Sequence, residues 1–372
     1  VTEREAYIAL NMLDGMGPVR ARNLIERLGS PEAVFDAEPE ALMEAKGIGQ
    51  EMAESIVNQR DEINPAEEIE KTEALGGRIL TCLDDEYPAA LRTIYDPPLA
   101  LYILGKLVPE DKHAIALVGS RRSSHYGQQT ADRLAFQLAK VGYTVISGLA
   151  RGIDTEAHKG SLKAGGRTIA VLGGALDKIY PPENAGLAEQ IAQHGAVISE
   201  FTLGREPDKT TFPYRNRVVS GMSMGVVVVE APFKSGSLIT AEQAMDQGRS
   251  VFAVPGRIDN PNARGCHMLI KSGARLVENV DDILQEFEML IPQEQKDVAK
   301  AASRRPEVML TDDEEKIVRA LGSDTLDIDT LARSAELNIA SVSGLLIGLE
   351  IKKVIRMLPG RLVELIARAE DF

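Results

Sequence analysis

The chain has 372 residues, 42 Lys+Arg against 56 Asp+Glu, a formal net charge of -14, no tryptophan and two cysteines, and 44% hydrophobic content supplies core for two or three domains. No apolar run reaches the ~18 residues of a membrane span, and Val1-Thr2-Glu3-Arg4 lacks the apolar core of a signal peptide. Cys82 and Cys266 are too few for a disulfide framework or a zinc site, so the expectation is a cytoplasmic protein with no membrane partner, no metal and no cofactor.

Residues 1–65 read as short helices, with Ile8, Leu10, Leu13 and then Leu24, Ile25, Leu28 at helical spacing. Gly15-Met16-Gly17-Pro18 and Gly47-Ile48-Gly49-Gln50 each stand between amphipathic stretches, as in a helix-hairpin-helix pair, whose helix-terminal N–H groups are open to a phosphate. Plain tight turns in an acidic segment explain the same glycines, and the basic residues Arg20, Arg22 and Arg27 follow only the first hairpin.

Residues 75–290 alternate strand and helix. Strand-like runs are Ala114–Val118, Thr144–Ser147, Thr168–Leu172, Ala196–Ser199, Val226–Glu230 and Val251–Val254, with helical patterns between them, notably Gln128–Lys140 and Leu238–Gln247. That rhythm predicts an α/β fold with a parallel sheet covered on both faces. Residues 291–308 have linker composition. In residues 309–372, three helical patterns (Asp312–Leu321, Ile328–Ala335, Ile339–Glu350) precede a hairpin around Pro359-Gly360, the order of a winged helix. Its third helix holds no basic residue over Ala340–Ile347, which favours protein contact or packing over groove reading.

The acidic total hides an uneven distribution: 20 of the 42 basic residues but only 15 of the 56 acidic ones fall between 111 and 280, so this segment alone is suited to a polyanion. Open parallel sheets bind ligands beyond the carboxyl ends of their strands. There the sequence places Gly119-Ser120-Arg121, Gly148 to Asp154 with Arg151, Gly173-Gly174, Lys234-Ser235-Gly236-Ser237 and Pro255-Gly256-Arg257. Small residues admit a ligand to the backbone, helix-terminal N–H groups favour an anion, and arginine supplies forked donors for phosphate. Neither a dinucleotide-binding loop nor a Walker P-loop is present. The connection from Glu206 to Arg217 interleaves Lys209, Phe212, Tyr214, Arg215 and Arg217, a pattern suited to single-stranded nucleic acid. The alternative is that Phe212 plugs the core and that Arg215 or Arg217 pairs with Glu200 or Glu230.

Taken together, Gly119-Ser120-Arg121, Ser147 to Asp154 with His158, Tyr180 to Asn184, Phe212 to Arg217, Ser235 to Ala241 and Val254-Pro255-Gly256 resemble the DprA (Smf) DNA-processing family over roughly residues 75–285. The resemblance implies an extended Rossmann-like domain between a SAM-like helical domain and a winged helix. It also implies sequence-independent binding of single-stranded DNA, delivery to the RecA recombinase in natural transformation, a homodimer and no covalent catalysis. Carried over by motif, Arg121 and Lys209 would bind phosphate and Phe212 would stack on a base, with Arg215 and Asn216 at the same pocket.

The rival reading is an enzyme similar to nucleotide phosphoribohydrolases of the lysine-decarboxylase-like family, whose Pro-Gly-Gly-x-Gly-Thr-x-x-Glu segment ends in a working glutamate. Alignment on Thr240 puts Gln243 there, and glutamine is no general base. Asp154 and His158, four residues apart, have the spacing of an acid–base or metal pair, but an aspartate near a helix start is the commoner cap.

Overall fold

The computed structural model describes residues 2–290, 310–322, 325–352, 354–358 and 361–365. The linker expected over 291–308 and the wing-tip pair Pro359-Gly360 lie outside the described residues. The chain divides into two compact units, Val1–Ala299 and Lys300–Phe372.

The first unit is built on strands apolar enough to be covered on both faces. Nine of them form one sheet: β1 (Gly77–Thr81), β2 (Ala100–Gly105), β3 (Ala114–Val118), β4 (Thr144–Ser147), β5 (Thr168–Val171), β6 (Ala196–Ser199), β7 (Gly225–Val228), β8 (Ser250–Ala253) and β9 (Arg275–Leu276). Every residue of β3, β4, β5, β6 and β7 is buried, as continuous Val/Ile/Ala runs in a doubly covered sheet should be. The order is β1-β2-β6-β5-β4-β3-β7-β8-β9. From β6 to β9 all pairings are parallel; β1 and β2 add an antiparallel edge that the sequence reading did not assign. Chain order therefore runs outward from β3 through β4, β5 and β6, then returns to β7 on the other side. The strand order reverses at β3.

The helical segment at the N-terminus shares its core with this sheet. Ile8 packs in one cluster with Ile79, Tyr102 and Val197, and Asn11 Nδ2 donates to Glu200 O at 2.9 Å. Both glycine hairpins are present: Gly15 and Gly47 take left-handed φ values of 74° and 84°, and Gly17 and Gly49 precede helices Pro18–Leu28 and Gln50–Arg60. The basic residues after the first hairpin are engaged within the protein. Arg20 donates to Gly15 O at 2.6 Å, Arg22 covers the Tyr95 ring at 5.2 Å, and Arg27 pairs with Glu44.

The second unit packs helices Asp312–Leu321, Ile328–Ser334 and Ile339–Ile351 with β10 (Leu326–Asp327), β11 (Ile355–Leu358) and β12 (Leu362–Leu365), paired in the order β10-β12-β11. This is the winged helix the element order predicted. Its core gathers Ile317, Leu331, Val342, Leu349, Ile355 and Val363.

Candidate nucleic-acid interface

The reversal of strand order leaves a crevice at the carboxyl end of β3, the place where open α/β sheets hold ligands. A cleft of about 560 Å³ opens there. Four segments form its walls.

The first wall, Gly119 to Ser124, follows β3. Ser120 N donates to Glu230 O at 2.7 Å, while Ser124 N and Oγ donate to the buried Glu230 carboxylate at 2.8 and 2.6 Å. Ser120 Oγ accepts from Arg122 N at 3.1 Å. The loop is thus tied at both ends, and Arg121 and Arg122 project from it into solvent.

The second wall, Gly148 to Asp154, follows β4. Asp154 is buried and its Oδ2 accepts from Gly148 N at 3.0 Å and Ala150 N at 3.4 Å. Burial pushes its pKa up, against the pull of the Arg215 guanidinium and those two amides. Arg215, 4% exposed, donates Nη1 to Gly148 O at 2.8 Å and to Val171 O. Burial lowers its pKa to about 10, with Asp154 opposing the drop. Arg215 is therefore a cationic floor whose Nη1 is held by main-chain carbonyls and whose Nε donates to Asn216 Oδ1 at 3.2 Å. His158, one turn beyond Asp154, faces elsewhere: its Nδ1 meets Thr168 Oγ1 at 2.7 Å. The Thr168 hydroxyl donates to Val145 O at 2.7 Å, so the imidazole proton sits on Nδ1. Asp154 and His158 make no acid–base pair.

The third wall carries the aromatic. Asp208 Oδ1 accepts from Thr210 N and Thr211 N at 2.7 and 3.0 Å, and these bonds, with the Thr210 hydroxyl, hold its pKa down to about 2. They fix the start of helix Thr211–Gly221, leaving Lys209 exposed and Phe212 half-buried. One side of the Phe212 ring rests against Gly173, where an added Cβ would lie 2.6 Å from Cδ1. Tyr180 packs beside it at 5.8 Å between centroids, and the Arg121 guanidinium lies 4.6 Å from the ring centroid. Phe212 belongs to the cleft wall and not to the core.

The fourth wall is the start of helix Gly236–Asp246, where Ser235 Oγ accepts from Ser237 N at 3.3 Å and Asn216 Nδ2 reaches Gly236 O at 3.4 Å.

Gly119, Ser120, Arg121, Lys209, Phe212, Arg215, Asn216, Ser235, Gly236 and Ser237 all line this one cleft. Four of the residues expected at the site do not. Gly173 lies beneath Phe212 and Gly174 packs against Pro207. Arg151 stands over Tyr180 beside an adjoining recess and pairs with Glu183. Lys234 is exposed next to the cleft. Arg217 takes the pairing role: it is 3% exposed and bridges Glu200 at 2.5 Å and Asp96 at 2.9 Å. The lining also holds polar residues outside that expectation, among them Arg122 and Asn262. Arg122 was visible as the second arginine of its turn, whereas Asn262, whose Nδ2 donates to Arg122 O at 3.0 Å, comes from a distant segment that gives no local signal.

Charge separates this lip from its surroundings. Arg205 and Arg257 pair with Asp208 and Asp259, as Arg151 does with Glu183. Arg121, Arg122, Lys209 and Lys234 make no salt bridge among the described residues. These four cations stand at or beside a cleft in a chain of net charge -14, and the buried Asp154 on its wall attracts Arg121.

A family model described as DNA recombination-mediator protein A matches residues 78–288, a DprA winged helix domain matches 301–361 and a SAM-like helix-hairpin-helix tandem matches 7–62. Protein Smf of Synechocystis is 39% identical over 287 residues, 76% of this chain and 72% of that protein. The Bacillus subtilis DNA processing protein DprA is 45% identical over 203 residues, 54% of this chain and 68% of that one. The X-ray structure of DprA from Streptococcus pneumoniae superposes with a TM-score of 0.66 at 35% identity, covering 77% of this chain and 98% of that one. DNA processing protein A from Helicobacter pylori, whose structure is described in terms of its single-stranded DNA binding mode, gives a TM-score of 0.53 at 31% identity over 58% of this chain and 97% of that one. On these matches the chain belongs to the DNA recombination-mediator protein A (DprA/Smf) family.

Proposed function

We propose that the chain binds single-stranded DNA without sequence preference in this cleft and delivers it to the RecA recombinase during natural transformation, acting in the cytoplasm as a homodimer without covalent catalysis. The observation that carries the reading is the gathering of Phe212, Arg121 and Lys209 on one lip, the two cations in no salt bridge among the described residues. An aromatic face accepts any unpaired base, which makes the grip indifferent to sequence, and the cations take phosphates. Entry of a base onto the outer face of Phe212 displaces the Arg121 guanidinium, which is then free to meet the adjacent phosphate. Arg215, held by carbonyls, adds positive potential from below.

The absence of covalent chemistry is supported at Gln243, where the phosphoribohydrolase-like enzymes carry their glutamate. Its Nε2 donates to Pro213 O at 3.2 Å, so the amide serves as a brace. No helix among the described residues is long and apolar enough to cross a membrane.

A titration with unstructured single-stranded and blunt duplex oligonucleotides across a salt series tests the proposal. Neutralising about four phosphates per protomer gives a log–log salt slope near -3 for single strands, with weaker binding of duplex. Equal affinity for both forms refutes the stacking mechanism. Faster RecA filament assembly on single strands in the presence of the chain is the expected sign of delivery.

A further inference from the structure

We propose that Phe233 and Lys234 form a second stacking and phosphate step on the facing lip of the cleft, so that the bound strand continues across the β7 side after leaving Phe212. This rests on the reading of the cleft as a single-stranded DNA site. Ser235 N donates to Pro232 O at 3.0 Å, closing a four-residue turn with Phe233 and Lys234 at its two corners. Pro232 and Ser235, the feet of the turn, line the cleft, so Phe233 and Lys234 stand at its edge. The turn is anchored: Ala231 N donates to Asn262 O at 2.7 Å, and Ser235 caps the following helix.

Phe233 is 61% exposed and its ring makes no aromatic or cation contact among the described residues, whereas Phe212 is covered by Arg121 and Tyr180. Lys234 has no carboxylate partner among the described residues. The facing wall presents the same chemistry, a lysine at 209 and a ring at 212. An exposed ring offers a π face to an unpaired base, and a neighbouring ammonium selects an anionic chain over a neutral apolar partner. Ile258 on the adjoining loop is 90% exposed but aliphatic, and offers no π face.

The chain contains no tryptophan, so Phe233→Trp in the full chain creates a sole tryptophan, excited selectively at its long-wavelength edge, at the site. Titrated with an oligothymidylate 20-mer, its emission should be quenched in step with binding followed by anisotropy of the labelled oligonucleotide. Phe233→Ala should weaken binding of the 20-mer about five- to hundredfold with the salt slope retained, and Lys234→Gln should reduce that slope by about 0.7. Both substitutions are on an exposed turn, and unchanged thermal melts verify the fold. Binding that leaves the Phe233→Trp emission unmoved, together with parental affinity in Phe233→Ala, overturns this extension while the cleft reading stands. Failure of the parent chain to bind the 20-mer overturns both.

Discussion

Arg121 and Phe212 are in contact in the free protein, and this makes the sign of their coupling predictable. The guanidinium 4.6 Å from the ring centroid at an exposed site is worth about 0.5–1 kcal/mol, and a stacked base is worth about 1–3 kcal/mol. If the base takes the place of the guanidinium, the parent gives up the cation–π contact on binding. Phe212→Ala loses the stack but no longer sacrifices that contact; Arg121→Ala loses a phosphate bond with the same relief. The double variant loses stack and phosphate bond and is relieved only once. Its loss in affinity should therefore exceed the sum of the single losses by about 0.5–1 kcal/mol, a factor of roughly two to five. Fluorescence anisotropy with an oligothymidylate at fixed salt measures all four corners of the cycle. Arg121→Ala and the double variant should show a salt slope shallower by about 0.7, and Phe212→Ala an unaltered one. A double variant that loses less than the sum would mean that ring and guanidinium bind as one joined unit, refuting the exchange.

Gly173→Ala should reproduce the Phe212→Ala phenotype without touching the ring's chemistry, because the added methyl carbon would lie 2.6 Å from Phe212 Cδ1; parental affinity would show that the ring's seat is irrelevant. Arg217→Ala leaves Glu200 buried without its guanidinium and should cost about 3–5 kcal/mol in urea unfolding, with a loss below about 1 kcal/mol refuting the pairing argument. His158, buried, has its pKa lowered from 6.5 to about 3 by burial and then by Arg215. Its proton is therefore bound by the unfolded chain and not by the native one, so stability holds above pH 6.5 and falls as pH drops toward 3, by up to about 1.4 kcal/mol per pH unit. His158→Gln should flatten that stretch of the pH–stability curve, and coincident curves would refute the assignment.

The parallel strands were legible because burial on both faces demands unbroken apolar runs, and Ala114–Val118, Thr144–Ser147 and Ala196–Ser199 form strands at their expected bounds. β1 and β2 were not, since their pairing joins residues such as Gly77 and Leu104 across an intervening segment with no hairpin signal. At the cleft, the strand-end rule located the glycines and arginines but not their direction. Arg215 and Arg217 are two residues apart on one helix, about 200° around its axis, and so point to opposite sides. One reaches the carbonyls of Gly148 and Val171, the other the carboxylates of Glu200 and Asp96. Tyr180 and Asn262 become neighbours of Phe212 and Arg122 only through tertiary folding.

Glu230 grips the loop that bears Arg121 and Arg122 through its carbonyl at Ser120 and its carboxylate at Ser124. The ordering of that loop is completed during folding and not at the moment of encounter. Capture of a passing strand is then timed by diffusion and by the pull of the field, with no slow rearrangement to wait for, so the association rate should vary with ionic strength far more steeply than with temperature.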